Sequence, residues 1–357
     1  MKLRLIYKKI LNTLFILRHG KVTKSNKKIK NLKIFKINKI NRENLSKYKY
    51  RLYNVKNGRV FTDYVENVSI ISGNQLIENA SFQQINGTLK NNKNQTLITG
   101  TPKFIKELKG NLIILTQGAS AHNNYAHWML DILPKIKLIL SNIPVNQIKN
   151  IYFTRLKKYQ YQSFNFLGLN SIKIIDANYF RHVKADQIIS VTHPYYFKKK
   201  WFYAQSNLPS WIIRFLRNDI SKKVKSKKKG YDKIFIDRSD SLQNHCKLIN
   251  NNEVIKFLKI RKYKSLKLTN FNLLEQISIF KNCKSIIAPH GAGLTNLAFC
   301  KKKTNVIEII PSDNKSLLYK RISEINKLKY KSIYLKKIHN NKNGDMNLNL
   351  DALKKHL

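Results

Sequence analysis

The stretch Ser285-Ile-Ile-Ala-Pro-His-Gly-Ala-Gly-Leu-Thr-Asn-Leu-Ala-Phe299, followed by Asn305-Val-Ile-Glu-Ile-Ile-Pro311, decides the fold class of this chain. A short apolar run of buried-strand character ends in Pro289-His290-Gly291-Ala292-Gly293. An apolar segment of helical length begins at Leu294, and a second β-branched run opens at Asn305. Strand, glycine loop, helix and strand in so short a span require a parallel sheet with a right-handed crossover. Gly291 and Gly293 let the backbone pass close to a ligand, and the amides that open the helix point at whatever lies there. Such a helix end favours an anion, typically phosphate. His290 adds a hydrogen-bond donor or a charge at the same spot. Two plainer readings stand beside this one: a tight turn, and a hydrogen-bonded core histidine. The dinucleotide fingerprint Gly-x-Gly-x-x-Gly is not completed, because Asn296 holds the third position, which argues against an NAD site.

Working outward, the same alternation recurs. Apolar strands at 112–115, 151–154, 172–175 and 188–191 alternate with helical segments, so residues 109–221 read as an α/β lobe. Residues 231–357 read as a second one, with strands at 234–236 and 306–310 and a helix over 273–282. In that helix Leu273, Ile277 and Phe280 share a face, and Asn272 with Glu275 forms a capping-type pair at its start. Residues 1–108 are polar, Asn-rich and strand-like in short pieces such as 58–63 and 68–71, a β-rich N-terminal region. The basic run 222–230 reads as a linker, with a nuclear-localisation-like or nucleic-acid patch as the alternative. The Asn-rich stretch 340–349 reads as a flexible loop. Two α/β halves joined by a linker describe the GT-B architecture, two Rossmann-like lobes facing a cleft.

Length and composition fit such a chain. At 357 residues it suits two domains, each able to bury its own core. The net charge of +50 would attract nucleic acid, anionic lipid or phosphorylated substrates. Lys, Asn and Ile are over-represented while Gly and Pro are scarce, the signature of an AT-rich coding sequence, which is the main cause of that charge. Cys246, Cys283 and Cys300 lack Cys-x-x-Cys spacing and are odd in number, so neither a zinc site nor a disulfide framework follows, and a reducing cytoplasm fits. Lys8 and Lys9 interrupt the N-terminal apolar run, and no stretch reaches the length of a membrane span. A docking helix, or an amphipathic helix peripheral at the inner face of an anionic membrane, is expected there.

A block upstream, Asn123-Asn-Tyr-Ala-His-Trp-Met-Leu-Asp-Ile-Leu-Pro134, carries a second chemical signal. His127 and Asp131 are four apart and share a helix face, whereas His122 and His127 are five apart and do not. A carboxylate that orients and charges an imidazole is what a general base needs. The alternative is structural: His127 bonded in the core, and Asp131 capping against Pro134, where the helix must kink or restart. Trp128 reads as core. No ligand spacing supports zinc on His122, His127 and His290.

The literal motifs resemble glycosyltransferase family 61. Pro-His-Gly-Ala-Gly-Leu-Thr-Asn-Leu-x-Phe with Val-Ile-Glu-Ile-x-Pro is similar to its glycine-loop signature. Residues 123–134 look like Asn-Tyr-x-His-Trp-x-x-Asp-x-Leu-Pro, and Lys233-Ile-Phe-Ile-Asp-Arg238-Ser239 looks like its strand ending in arginine. Leu274-Glu275-Gln276 fits the helix before the glycine loop. The resemblance spans about residues 110–312 in the family's order. It implies the GT-B fold, with residues 109–221 on the acceptor side and 231–357 on the nucleotide-sugar donor side. It further implies an inverting transfer of a hexosyl or pentosyl unit to a glycan or other hydroxyl acceptor, as in bacterial capsular or surface polysaccharide synthesis.

Such a transfer must stabilise a departing diphosphate and deprotonate an acceptor hydroxyl. No Asp-x-Asp advertises a metal; Asp232, Asp237 and Asp240 do not supply it. Arg238 and the backbone of Gly291, Ala292, Gly293, Leu294, Thr295 and Asn296 are therefore assigned to the diphosphate, with His290 beside them. Thr295 and Asn296 serve as helix-start caps, phosphate contacts or both. A surface arginine is the plainer reading of Arg238. Lys247 is a second phosphate candidate, where family members often carry Arg-x-x-Asn-Glu and this chain has Lys247-Leu-Ile-Asn250-Asn251. Arginine's bidentate geometry and the Glu at 251 are absent. Glu308, inside an apolar strand, must face a ligand or an ion pair; by resemblance it sits near the nucleotide ribose. No cofactor and no metal are expected, nor a specific nucleic acid. The rival functions are a basic nucleic-acid-binding protein, which no RNP, helix-turn-helix or KH signature supports, and a catalytically inactive relative.

Overall fold

The computed structural model describes residues 2–25, 29–38, 40, 48–63, 67–116, 123–196, 200–224, 230–241, 245–338 and 344–357. It divides into two compact units, residues 1–204 and 205–357. Both mix helices with sheet, the α/β class read from the sequence.

In the first unit a helix, Lys2–His19, precedes a large mixed sheet. Six strands of that sheet frame the His127–Asp131 block: β1 (Arg51–Lys56), β2 (Arg59–Thr62), β3 (Lys106–Ile114), β4 (Asn150–Phe153), β5 (Lys173–Asp176) and β6 (His182–Val191). β6 is the hub, parallel to β3 on one side and antiparallel to β1 and β2 on the other. β3, β4 and β5 continue in parallel. The strands of the N-terminal stretch and those of the α/β stretch thus share one sheet. Parallel strands are covered on both faces, so they read as continuous apolar runs. Leu112, Ile113, Ile151, Phe153, Ile188 and Ile189 are all buried.

Between β3 and β4 runs one helical segment in three parts: an α-helical turn Tyr125–His127, a π-turn Trp128–Ile132 and an α-helix Leu133–Leu140. Asn124 starts it, its Oδ1 accepting from the amides of Ala126 (2.9 Å) and His127 (3.4 Å). Pro134 was expected to force a kink or restart. The chain instead widens, the Leu133 amide reaching back five residues to the Trp128 carbonyl, which accommodates a residue lacking an N–H.

The second unit holds an all-parallel five-stranded sheet: β7 (Lys233–Ile236), β8 (Lys264–Leu266), β9 (Ser285–Pro289), β10 (Asn305–Pro311) and β11 (Lys329–Leu335). Its spatial order is β8-β7-β9-β10-β11. Written from the first strand, that is 2-1-3-4-5, a doubly wound order whose direction reverses between β7 and β9. The helix Leu273–Asn282 starts with the reciprocal cap expected of Asn272 and Glu275, both bonds at 3.0 Å. The segment after the glycine loop, Ala292–Phe299, is a 3-10 helix eight residues long. Its residues from Leu294 to Phe299 are all buried, so there is no polar stripe. The tighter helix rises about 2 Å per residue and covers the crossover in a short span.

Of the basic run 222–230, Ser221–Lys223 form a 3-10 turn and Val224 is buried, while residues 225–229 lie outside the described residues. His122 and residues 340–343 lie outside them too. The rest of the Asn-rich stretch is not a loose loop. Met346 and Leu348 are buried, and the Met346 amide donates to the Lys247 carbonyl at 2.8 Å.

Candidate active site

Ligands of open α/β sheets bind beyond the strand ends where the order reverses. In the second unit β7 delivers Asp237 and Arg238 to that point, and β9 delivers His290 and Gly291. The two loops touch. A Cβ built at Gly291 would stand 1.5 Å from Arg238 Nη1. Gly291 is fully extended (φ 164°), so it is the space beneath the guanidinium, not the backbone conformation, that demands glycine. Arg238 Nη2 donates to the His245 carbonyl at 2.9 Å and to Ser241 Oγ at 3.3 Å. Its Nε is buried with no partner among the described residues, and an anion would satisfy it. The loop is held by Asp237, which accepts from the Ser239 amide (2.9 Å) and from Asn251 Nδ2 (3.0 Å). Asn251, where family members often carry glutamate, here supports the arginine-bearing turn.

His290 Nδ1 donates to Glu308 Oε1 at 2.5 Å, and the Tyr330 hydroxyl donates to Glu308 Oε2 at 2.5 Å. Glu308 is buried, and each of its oxygens accepts one of these bonds. Of the ligand or ion pair expected of it, the structure supplies the pair: Glu308 holds His290. The bond fixes the proton on Nδ1 and leaves Nε2 for a ligand, with the Tyr319 ring packed beside it at 5.1 Å.

The glycine loop itself is only partly as expected. Gly291, Ala292 and Gly293 are half-exposed, whereas Leu294, Thr295 and Asn296 are buried. Asn296 Nδ2 is committed to Gln276 Oε1 at 2.9 Å, and Gln276 donates on to the Leu268 and Phe271 carbonyls. The Asn296 side chain is thus committed to the interior, and Thr295 Oγ1 is buried with no hydrogen-bond partner among the described residues. Lys247 is placed by its backbone, which pairs with Asp345 and Met346.

In the first unit His127 and Asp131 come together as the spacing predicts, Nδ1 to Oδ2 at 2.7 Å. Asp131 also accepts from the Tyr195 hydroxyl and lies 3.9 Å from His193 Nε2. Burial works against the His127 cation, but the charge and hydrogen bond of Asp131 together outweigh it and raise its pKa. Burial likewise opposes the Asp131 charge, yet His127 above all, with the Tyr195 hydroxyl, holds its pKa below the usual carboxylate range. His193 Nδ1 accepts from the amides of Tyr195 (3.2 Å) and Tyr196 (2.9 Å), so that nitrogen carries no proton. Burial pushes the same ring down to about 3, against the pull of Asp131. It is neutral.

Trp128 is wholly buried, with Nε1 bonded to Ser163 Oγ at 2.9 Å, and is core as read. One turn beyond Asp131, Lys135 is buried too, and burial lowers its ammonium to about 7 despite Asp131. It lines a cavity of about 200 Å³ with His193, Tyr196, Ser190 and Thr116. The Thr116 hydroxyl is buried without a partner among the described residues.

A family model for glycosyltransferase 61 matches residues 125–307, over half of the chain. This chain belongs to glycosyltransferase family 61. No curated protein matches it. The family makes it a glycosyltransferase, and the matched span takes in the His127–Asp131 pair, Arg238 and the glycine loop. Among the described residues of this glycosyltransferase, no three His, Cys, Asp or Glu side chains gather as a metal site.

Chemically, the second unit presents cationic and amide donors at a strand-end crevice, which suits an anion. The first presents an imidazole whose Nδ1–H is held by a buried carboxylate, so that Nε2 is the basic nitrogen. His193, Tyr195, Lys135 and Tyr330 were not found in the sequence. His193-Pro-Tyr-Tyr196 follows the C-terminal end of β6 almost directly, and that position was the available signal.

Proposed function

We propose that this glycosyltransferase moves a sugar, with inversion and without a metal ion, from a nucleotide-sugar donor to a glycan hydroxyl. A surface or capsular polysaccharide is the proposed product. The observation that carries the reading is the Arg238 guanidinium lying over Gly291 where the strand order reverses. In this reading Arg238, His290 Nε2 and the amides of Gly291, Ala292 and Gly293 receive the donor diphosphate. His127 Nε2 takes the proton of the acceptor hydroxyl while Asp131 holds Nδ1–H. The acceptor oxygen bonds to the anomeric carbon on the face opposite the diphosphate. The carbon–oxygen bond to the diphosphate breaks, and its electron pair leaves on phosphate oxygen, where Arg238 and the amides stabilise the charge. Residues 109–221 serve as the acceptor side and residues 231–357 as the donor side of a GT-B enzyme. A cationic donor site, in a sequence without Asp-x-Asp, supports metal independence.

A thermal-shift screen of UDP, GDP, CMP and their sugars tests this. One nucleotide class is expected to raise Tm by mass action, and Arg238→Ala is expected to abolish the shift while leaving the protein folded. Turnover of the identified donor should survive a chelator. No shift with any nucleotide, or an undiminished shift in Arg238→Ala, overturns the reading.

A further inference from the structure

The N-terminal helix Lys2–His19 binds the first unit through its C-terminal part, while residues 3–10, Leu5 among them, are exposed. Phe15 packs edge-on against Phe104 with ring centres 5.2 Å apart, and His19 meets His182 at 5.2 Å. Ile16 fills the space over Gly100, where a Cβ would stand 2.7 Å from its Cγ1. Arg59 donates to the His19 carbonyl at 3.4 Å. Away from those contacts an apolar stripe stays open along the whole helix. Leu3, Ile6, Tyr7, Ile10, Leu14 and Leu17 are all exposed, Leu3 at 83% and Leu17 at 79%.

At 3.6 residues per turn these six side chains fall within an arc of about 100°. Phe15, Ile16 and His19 lie on the side away from it. Arg4 and Arg18 lie beyond one edge of the stripe and Lys9 beyond the other, and residues 2–19 contain no Asp or Glu. An apolar stripe whose charged neighbours are all cations is the form of a helix that lies in the interface of an anionic bilayer. No helix among the described residues is long and apolar enough to cross a membrane.

We propose that Lys2–His19 seats the protein on a bilayer carrying anionic headgroups, with the stripe from Leu3 to Leu17 entering the acyl boundary. Charge decides the occupant. A second copy laid on the same stripe would bring Arg4, Lys9 and Arg18 of both helices together, whereas acidic headgroups neutralise them. The proposal stands apart from the transfer reaction and does not depend on it.

Co-sedimentation of the full chain with phosphatidylcholine vesicles, with and without phosphatidylglycerol, tests it. The protein is expected to bind the anionic vesicles and release in high salt. Each basic residue near the surface strengthens binding about fivefold, so Arg4→Gln with Lys9→Gln should weaken it about 25-fold. A triple variant, Ile6→Ser, Ile10→Ser and Leu14→Ser, keeps every charge and alters only exposed positions. It should fold normally by circular dichroism and bind about 100-fold more weakly or worse. Wild-type binding by the triple variant would assign the attraction to the chain's general charge and overturn the proposal. So would equal binding to neutral vesicles. A wild-type dimer that the triple variant converts to monomer would overturn it in favour of a second copy.

Discussion

Replacing Gly291 by alanine probes the contact on which the donor-site reading rests. The added Cβ would stand 1.5 Å from Arg238 Nη1 and 2.2 Å from its Cζ, far inside the roughly 3.5–4 Å of an ordinary contact. The backbone at 291 is extended and accepts alanine without strain. What yields is the free end of the arginine, which must leave its bonds to the His245 carbonyl and Ser241 Oγ. The guanidinium is only half-buried and returns to water, so stability should change by about 1–2 kcal/mol at most. Its bonds to a diphosphate are each worth about 1.5–3 kcal/mol, and losing one raises Kd about 10- to 150-fold. Calorimetry with the nucleoside diphosphate of the largest thermal shift reads this directly, on wild type, Gly291→Ala, Arg238→Ala and the double variant. If Gly291 acts through Arg238, the double variant binds no worse than Arg238→Ala alone. Wild-type affinity in Gly291→Ala, or losses that simply add, would refute the reasoning.

The remaining expectations concern single groups. His127→Ala should lower kcat by about 10²–10⁴ with donor affinity unchanged, as loss of a general base requires. Asp131 raises the His127 pKa, so in Asp131→Asn the rising limb of kcat/KM against pH should move to lower pH. In wild type the pair's stabilisation through His127 is complete below pH 6.5 and is lost as pH climbs through the raised folded value, which pH-dependent denaturation measures. Lys135 is shifted the opposite way, from 10.5 to about 7. Folding therefore releases its proton between those values, and stability gains with pH across that window. Lys135→Met should raise Tm most below pH 7, with a gain of up to about 5 kcal/mol that fades by pH 10.5. Asn251→Glu, though it matches the residue family members often carry, would set a carboxylate against Asp237 in place of a 3.0 Å hydrogen bond. It should cost about 1–3 kcal/mol in urea melts and weaken nucleotide binding.

Much of the scaffold was legible because it is written in short-range pattern. Apolar runs at β3, β4, β6, β7, β9 and β10 mark buried parallel strands, and Asn272 with Glu275 marks a helix start through bonds three residues long. The His127–Asp131 contact is equally local, one helical turn. Spacing was silent where burial decides the role. Glu308 was read as facing a ligand or an ion pair, with the ribose implied by resemblance, and its partners on the parallel sheet are His290, at the end of β9, and Tyr330, on β11. Thr295 and Asn296 looked like phosphate contacts from their place after the glycines. The 3-10 turn directs both inward, and Gln276 on the preceding helix claims Asn296.

By itself the sequence determined the α/β class, the glycine loop, the membership in a glycosyltransferase family and the presence of an N-terminal helix. These depend on residue types at separations of a few positions, where steric and hydrogen-bonding rules act within one element. Tertiary structure alone decided that Arg238 lies over Gly291, because β7 pairs directly with β9 although 48 residues separate Ile236 from Ser285. It alone added Tyr195 and His193 to Asp131, and set Lys135 in a cavity where its ammonium loses water. Those meetings follow from strand order and register, which long-range pairing selects and no local window contains.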